Sequence, residues 1–97
     1  MENEITLNSN EVVEYVKNEV KQYEVLEISY NRIFVPGEVL DIEHDEEEDS
    51  LTLLLQLQGE LLRDTVQLDL VQIKDDILEI RHIKSEDELI VIVVEDA

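Results

Sequence analysis

The sequence predicts an α+β fold that is mostly β. It has an N-terminal helix followed by a five- to six-stranded antiparallel meander, bent strongly or closed as a small barrel. Three observations carry this expectation. The hydrophobic period changes from three and four to two near residue 24. Short clusters of Pro, Gly, Asp, Lys and Ser punctuate the chain after that point. Ala occurs once among 97 residues, whereas Val, Leu and Ile number 36, a balance that favours strands over helices. A chain of this length is one domain, spanning residues 1–97, with enough apolar side chains to build a core.

The helix is expected at about residues 10–23. Ser9 or Asn10 serves as its N-cap. Val13, Val16, Val20 and Tyr23 recur on one face, Glu11 and Glu14 suit the positive end of the dipole, and Lys21 suits the negative end. The meander then occupies about residues 24–95. Leu26, Ile28 and Tyr30 alternate with Glu27 and Ser29, and Pro36-Gly37 marks a turn. Leu40 and Ile42 form the next strand, and Leu51, Leu53, Leu55 and Leu57 give the strongest alternation in the chain. A turn at 58–60 leads to Val66, Leu68 and Leu70. Val71 and Ile73 continue in the opposite phase, which a β-bulge would reconcile. Lys74-Asp75-Asp76 is a tight turn, residues 77–83 a strand, and residues 85–88 another turn. Residues 89–94, LIVIVV, form a last strand that is apolar on both faces. It is therefore central, closes a barrel, or forms an interface such as a homodimer. Leu53 and Leu55 should face the core with Leu40, Ile42, Leu68 and Ile80, while Leu54 points the other way. In topology, a helix leading into a small bent sheet resembles Sm-like and SH3-like barrels.

Charge narrows the function. Acids outnumber bases 26 to 7, for a formal charge of −19. With 43% hydrophobic residues the chain still reads as folded rather than disordered. No basic patch exists to hold nucleic acid or an anionic membrane. The absence of Cys removes disulfides, thiolate nucleophiles and zinc–thiolate sites. The N-terminal stretch MENEITLNSN has no signal-peptide pattern, and the apolar run at 89–94 is far too short to span a bilayer, so a cytoplasmic location is expected.

The run HDEEEDS at 44–50 sets the central question. A calcium loop spaces its oxygens at alternate positions around a Gly, whereas these acids are contiguous and lack that Gly. A metal-dependent active site needs carboxylates gathered in a cleft with partners for proton transfer. His44 adjoins a turn and reads as solvated. His82 lies in a strand and reads as partly buried with one hydrogen bond. The expectation is a protein without catalytic residues, cofactor or dedicated metal, whose acidic run is a hairpin tip.

In a meander, alternate turns share one end of the sheet. Asp45, Glu46, Glu47, Glu48 and Asp49 should then converge with Asp75, Asp76, Glu95 and Asp96. Glu60, Glu86, Asp87 and Glu88 should lie at the opposite end, partly offset by Arg63 and Lys84. Asp41, Glu43, Asp69 and Glu79 would add outward charges, spaced by roughly 6.6 Å along a strand. This surface implies a partner-binding site, formed by residues 45–49 with Asp41, Glu43, Asp75, Asp76, Glu95 and Asp96, for a basic protein such as a nucleic-acid enzyme.

In size and charge the chain resembles the small acidic DNA mimics of phages and mobile elements, among them uracil-DNA glycosylase inhibitors, anti-restriction proteins and anti-CRISPR proteins. That resemblance implies an anti-defence inhibitor that occludes a bacterial enzyme without chemistry. The alternative is a structural or oligomerising β-domain, such as a phage or cellular assembly subunit, whose acidity serves solubility.

Overall fold

The computed structural model describes residues 2–58 and 64–95. The fold is α+β and mostly β: a short helix packs on a seven-stranded, mostly antiparallel sheet that does not close. The strands are β1 (Glu2–Leu7), β2 (Val25–Tyr30), β3 (Ile33–Asp45), β4 (Ser50–Leu57), β5 (Thr65–Asp69), β6 (Ile77–Ser85) and β7 (Glu88–Val94). Their spatial order is β1-β7-β6-β2-β3-β4-β5. The helices are α1 (Ser9–Glu19) and the single turn α2 (Leu70–Ile73), which runs into a 3-10 turn at Lys74–Asp76. Among the described residues, no helix is long and apolar enough to cross a membrane.

Helix α1 starts earlier and ends earlier than its hydrophobic spacing suggests. Asn8, not Ser9 or Asn10, is the N-cap. Its side chain accepts from the Glu11 amide at 2.8 Å, and its own amide donates to the Glu11 carboxylate at 3.0 Å. This reciprocal box satisfies two of the amides that every helix leaves unpaired at its start. It also sets the buried stripe to Val12, Val16 and Val20, with Val13 only partly buried. Val20 is already extended, and Tyr23 adopts a left-handed φ of 73° with its ring exposed. The Tyr23 amide instead donates to the Val39 carbonyl, which fastens this corner to β3.

The alternation predicted for β4 holds. Leu51, Leu53 and Leu55 are buried in the core with Leu26, Ile28, Ile80 and Ile92. Leu53 registers against Ile42 on β3 and Leu68 on β5, both packed against that core. Leu40 is the exception. A register shift between Val39 and Asp41 makes Leu40 the extra residue of a bulge, so Val39 takes the buried place.

Pro36-Gly37 is not a turn but the middle of β3. The hairpin turn falls at Asn31-Arg32, with φ values of 46° and 72°. Gly37 is needed where two backbones approach closely: a Cβ there would stand 2.9 Å from the Leu55 Cβ.

Two larger corrections change the topology. Residues 2–7 form a seventh strand, which pairs in parallel with β7. Residues 70–76 are not a bulged strand and turn but a crossover. Asp69 caps α2 by accepting from the Val71 amide at 3.1 Å, and the segment passes over the α1 side of the sheet, burying Leu70. The chain therefore re-enters the sheet as β6 beside β2, and the simple meander stops at β5.

Candidate functional site

The crossover reverses the placement of the later acidic turns. β3 and β6 are both antiparallel to β2, so they run the same way. The turn after β6 therefore lies at the same end as the turn after β3. The segment before β6 and the end of β7 lie at the other. Asp45, Glu46, Glu47, Glu48 and Asp49 thus share an end with Glu86, Asp87 and Glu88. Asp75, Asp76 and Glu95 sit at the opposite end, where the Asp76 carbonyl accepts from the Asn31 amide and the Glu95 amide donates to the Leu7 carbonyl. Asp96 lies outside the described residues, as do the expected turn residues Gly59 and Glu60 and the offsetting Arg63.

The hairpin of β3 and β4 gathers the largest part of the expected site. Past Val39, the only strand partner of β3 is β4 among the described residues. On this arm Asp41, Glu43 and every residue from 44 to 49 are exposed. The tip folds on its own carboxylates: Asp45 accepts from the amides of Glu47 and Glu48, at 3.0 and 3.2 Å. Asp49 closes the turn at a φ of 49°, a conformation that Asp tolerates better than most residues. Asp69 leaves the expected outward set, because its side chain caps α2 and receives the Leu51 amide. Glu79 is half-buried. Among the described residues, no three His, Asp or Glu side chains are grouped to hold a metal ion.

The last strand needs no further backbone partner. β7 pairs with β6 on one side and β1 on the other. Ile92 points into the core, while Leu89, Val91 and Val93 lie half-buried on the sheet face away from α1.

A second constellation is buried, and only His82 of its three members was a candidate in the sequence. The His82 ring has no exposed surface. Its Nδ1 lies 2.7 Å from the Tyr15 hydroxyl and its Nε2 lies 2.8 Å from Glu24 Oε1. A carboxylate only accepts, so Nε2 carries a proton; in the neutral ring Nδ1 then accepts from the Tyr15 O–H. Burial, with the charges of Glu19, Glu24 and Glu88, pushes the Tyr15 phenol up to about 12. Burial alone would raise the Glu24 carboxyl as well. The hydrogen bond from His82, the Lys21 amide, and the nearby charges of His82 and Lys84 outweigh it and hold Glu24 below the usual value.

The order Glu–His–hydroxyl is that of a proton relay. Here burial keeps the hydroxyl protonated and encloses the imidazole. The three side chains join α1, the lead-in to β2 and β6, and so hold α1 against the sheet. One signal in the sequence points to it: His82 has the parity of Ile80, which aims it at the core and obliges its ring nitrogens to find partners.

No curated protein and no solved structure matches the chain. The family model described as an uncharacterized protein conserved in archaea (DUF2097) matches residues 3–93, and the chain belongs to that family.

Proposed function

We propose that the protein is an acidic interaction module that binds a basic, nucleic-acid-binding protein and competes with nucleic acid for it. One observation carries the reading: the β3–β4 arm runs past the end of β2 and exposes Asp41, Glu43 and five consecutive carboxylates on one hairpin. A preformed run of negative charge steers a basic groove toward it and loses little entropy on binding. The module acts by occlusion rather than by chemistry, and works in the cytoplasm where such partners are found. The archaeal description of the family supplies no support for a phage origin or a bacterial host, so the reading keeps the mimicry of a nucleic-acid backbone and leaves the anti-defence role aside.

The test is capture of partners from cell extract on the immobilised protein, followed by elution with duplex DNA. The reading expects basic nucleic-acid-binding proteins that are released by duplex and by salt. Equal recovery on a variant with residues 45–49 neutralised would remove the hairpin from the interface.

A further inference from the structure

Among the described residues β1 is an edge of the sheet, on the side away from the β3–β4 arm, and it offers an open backbone template beside its own carboxylates. Among the described residues β1 pairs only with β7, in unbroken register. Half of its N–H and C=O groups therefore point away from the sheet. Edge strands are commonly blunted by Pro, by a bulge or by charged side chains; residues 2–7 have no Pro and no bulge, and their only charges are the carboxylates of Glu2 and Glu4.

A groove flanks this edge on each face of the sheet. On the α1 side, Leu7 and Tyr15 line a groove of about 410 Å³, together with Glu11, Glu14 and Glu19. On the other side, Glu2 and Glu4 lie beside Glu79, Arg81 and Val91 around a second hollow of about 410 Å³. Arg81 approaches Glu2 at 3.8 Å, so this hollow sets three carboxylates against one guanidinium. Register separates the two faces: Glu2 and Glu4 stand beside Leu89 and Val91, whereas Ile5 and Leu7 stand beside Ile92 and Val94.

We infer that the β1 edge accepts an extended segment of a basic partner as an added strand. Lys or Arg at alternate positions faces Glu2 and Glu4, and apolar side chains between them face Ile5 and Leu7. The inference rests on the proposed function and adds to it a second contact with the same basic partner, at the sheet edge away from the β3–β4 arm. Main-chain hydrogen bonds supply affinity in strand addition, and alternate side chains supply specificity.

Charge selects this occupant over a second copy of the chain. Pairing β1 with β1 face for face would gather Glu2 and Glu4 of both copies on one side of the joined sheet, and like charges across strands destabilise. Two chains of −19 also repel at long range. The carboxylates that bar self-pairing are the ones that reward a cationic strand.

The test titrates the full chain with a short peptide of alternating Lys and Val at low salt, and with the same peptide N-methylated at alternate residues. Amide-resolved NMR and hydrogen exchange report where each binds. The expected result is slowed exchange at β1 amides and affinity about tenfold weaker after N-methylation. A similar loss of about tenfold is expected for Glu2→Lys with Glu4→Lys, as each attractive cross-strand pair becomes repulsive. Glu46→Lys with Glu47→Lys at the hairpin tip, whose strands lie four and five places from β1, should change peptide affinity less than about twofold when the titration is repeated at roughly 0.15 M salt, where exposed charges are screened beyond about 8 Å. Equal binding by the N-methylated peptide, or shifts confined to the hairpin tip, would overturn the docking mode and leave the acidic-module reading in place. Absence of binding by either peptide would overturn both. Protection of β1 amides without peptide, with self-association in sedimentation, would give the edge to a second copy and overturn the inference.

Discussion

His82 Nε2 lies 2.8 Å from Glu24 Oε1, and this hydrogen bond ties the third strand of the sheet to the corner where α1 gives way to β2. The imidazole is fully buried, so its donor has no water to turn to if the carboxylate is lost. Glu24→Ala should destabilise the fold by about 1–3 kcal/mol, the usual cost of an orphaned buried donor. Glu24→Gln should cost less, because its amide oxygen still accepts. The pH dependence separates the two effects. Glu24 is held below its ordinary value, so its contribution is complete above about pH 4.3, the unfolded value for Glu. It is lost as pH falls through the lower folded value. Urea melts from pH 6 to pH 2 should therefore show a shallower acid arm in Glu24→Gln than in the native chain. Identical arms would show that the carboxylate does not titrate with folding.

Tyr15 sits at the other end of the same relay, and its sign is opposite. Its phenol is raised to about 12 in the folded chain against 10.0 unfolded. A raised value means that the folded state keeps the proton longer. The contribution is present below pH 10 and disappears as pH rises toward 12. Tyr15→Phe should therefore flatten the alkaline arm of stability over that interval. At neutral pH it should cost about 1–3 kcal/mol by leaving Nδ1 of His82 without its donor. A variant that keeps the full alkaline arm would show that the Tyr15 phenol does not titrate with folding.

The β4 strand offers a test of register. Leu53 is fully buried between Ile42 and Leu68, whereas the neighbouring Leu54 is half-buried on the opposite face, between Asp41 and Gln67. Leu53→Ala should cost about 2–5 kcal/mol in thermal or urea unfolding. Leu54→Ala should cost about half as much or less, because it opens no cavity in the core. Equal losses would mean that the face away from α1 is covered in solution.

These elements differ in how far the sequence reveals them. Leu51 to Leu57 were legible because a strand with one buried face must alternate, and no local feature disturbs it. Val12 was not, because the capping box of Asn8 and Glu11 shifts the helix frame, and Val13 fits a three-and-four spacing equally well. β1 was hidden for a different reason. ENEITL is polar at Glu2, Asn3 and Glu4, and its partner β7 lies at the far end of the chain, where no local pattern reports the pairing. The convergence of the acidic turns failed through one segment. Val71 and Ile73 pack against the core from a helical turn, not a bulged strand, and that crossover exchanges the ends at which Asp75, Asp76 and Glu95 emerge. The buried relay depends on contacts spanning 58 and 67 residues, of which only the parity of His82 gives notice.

The separation of the acidic ends leads to a last prediction. Residues 45–49 on the β3–β4 tip and Asp75, Asp76 and Glu95 at the opposite end cannot both contact one compact groove. Neutralising Asp45 and Asp49 to Asn, and Glu46, Glu47 and Glu48 to Gln, should leave the fold intact. Asn preserves both the accepting oxygen at 45 and the left-handed backbone at 49. This variant should associate with a basic nucleic-acid-binding partner about tenfold more slowly at low salt, with a smaller deficit above 0.1 M, where exposed charges are screened beyond roughly 10 Å. Neutralising Asp75, Asp76 and Glu95 instead should change the rate by less than about twofold, since only their diffuse field is lost. Stopped-flow association at several ionic strengths distinguishes the two ends. Equal slowing by both sets would mean that net charge, and not the hairpin, draws the partner in.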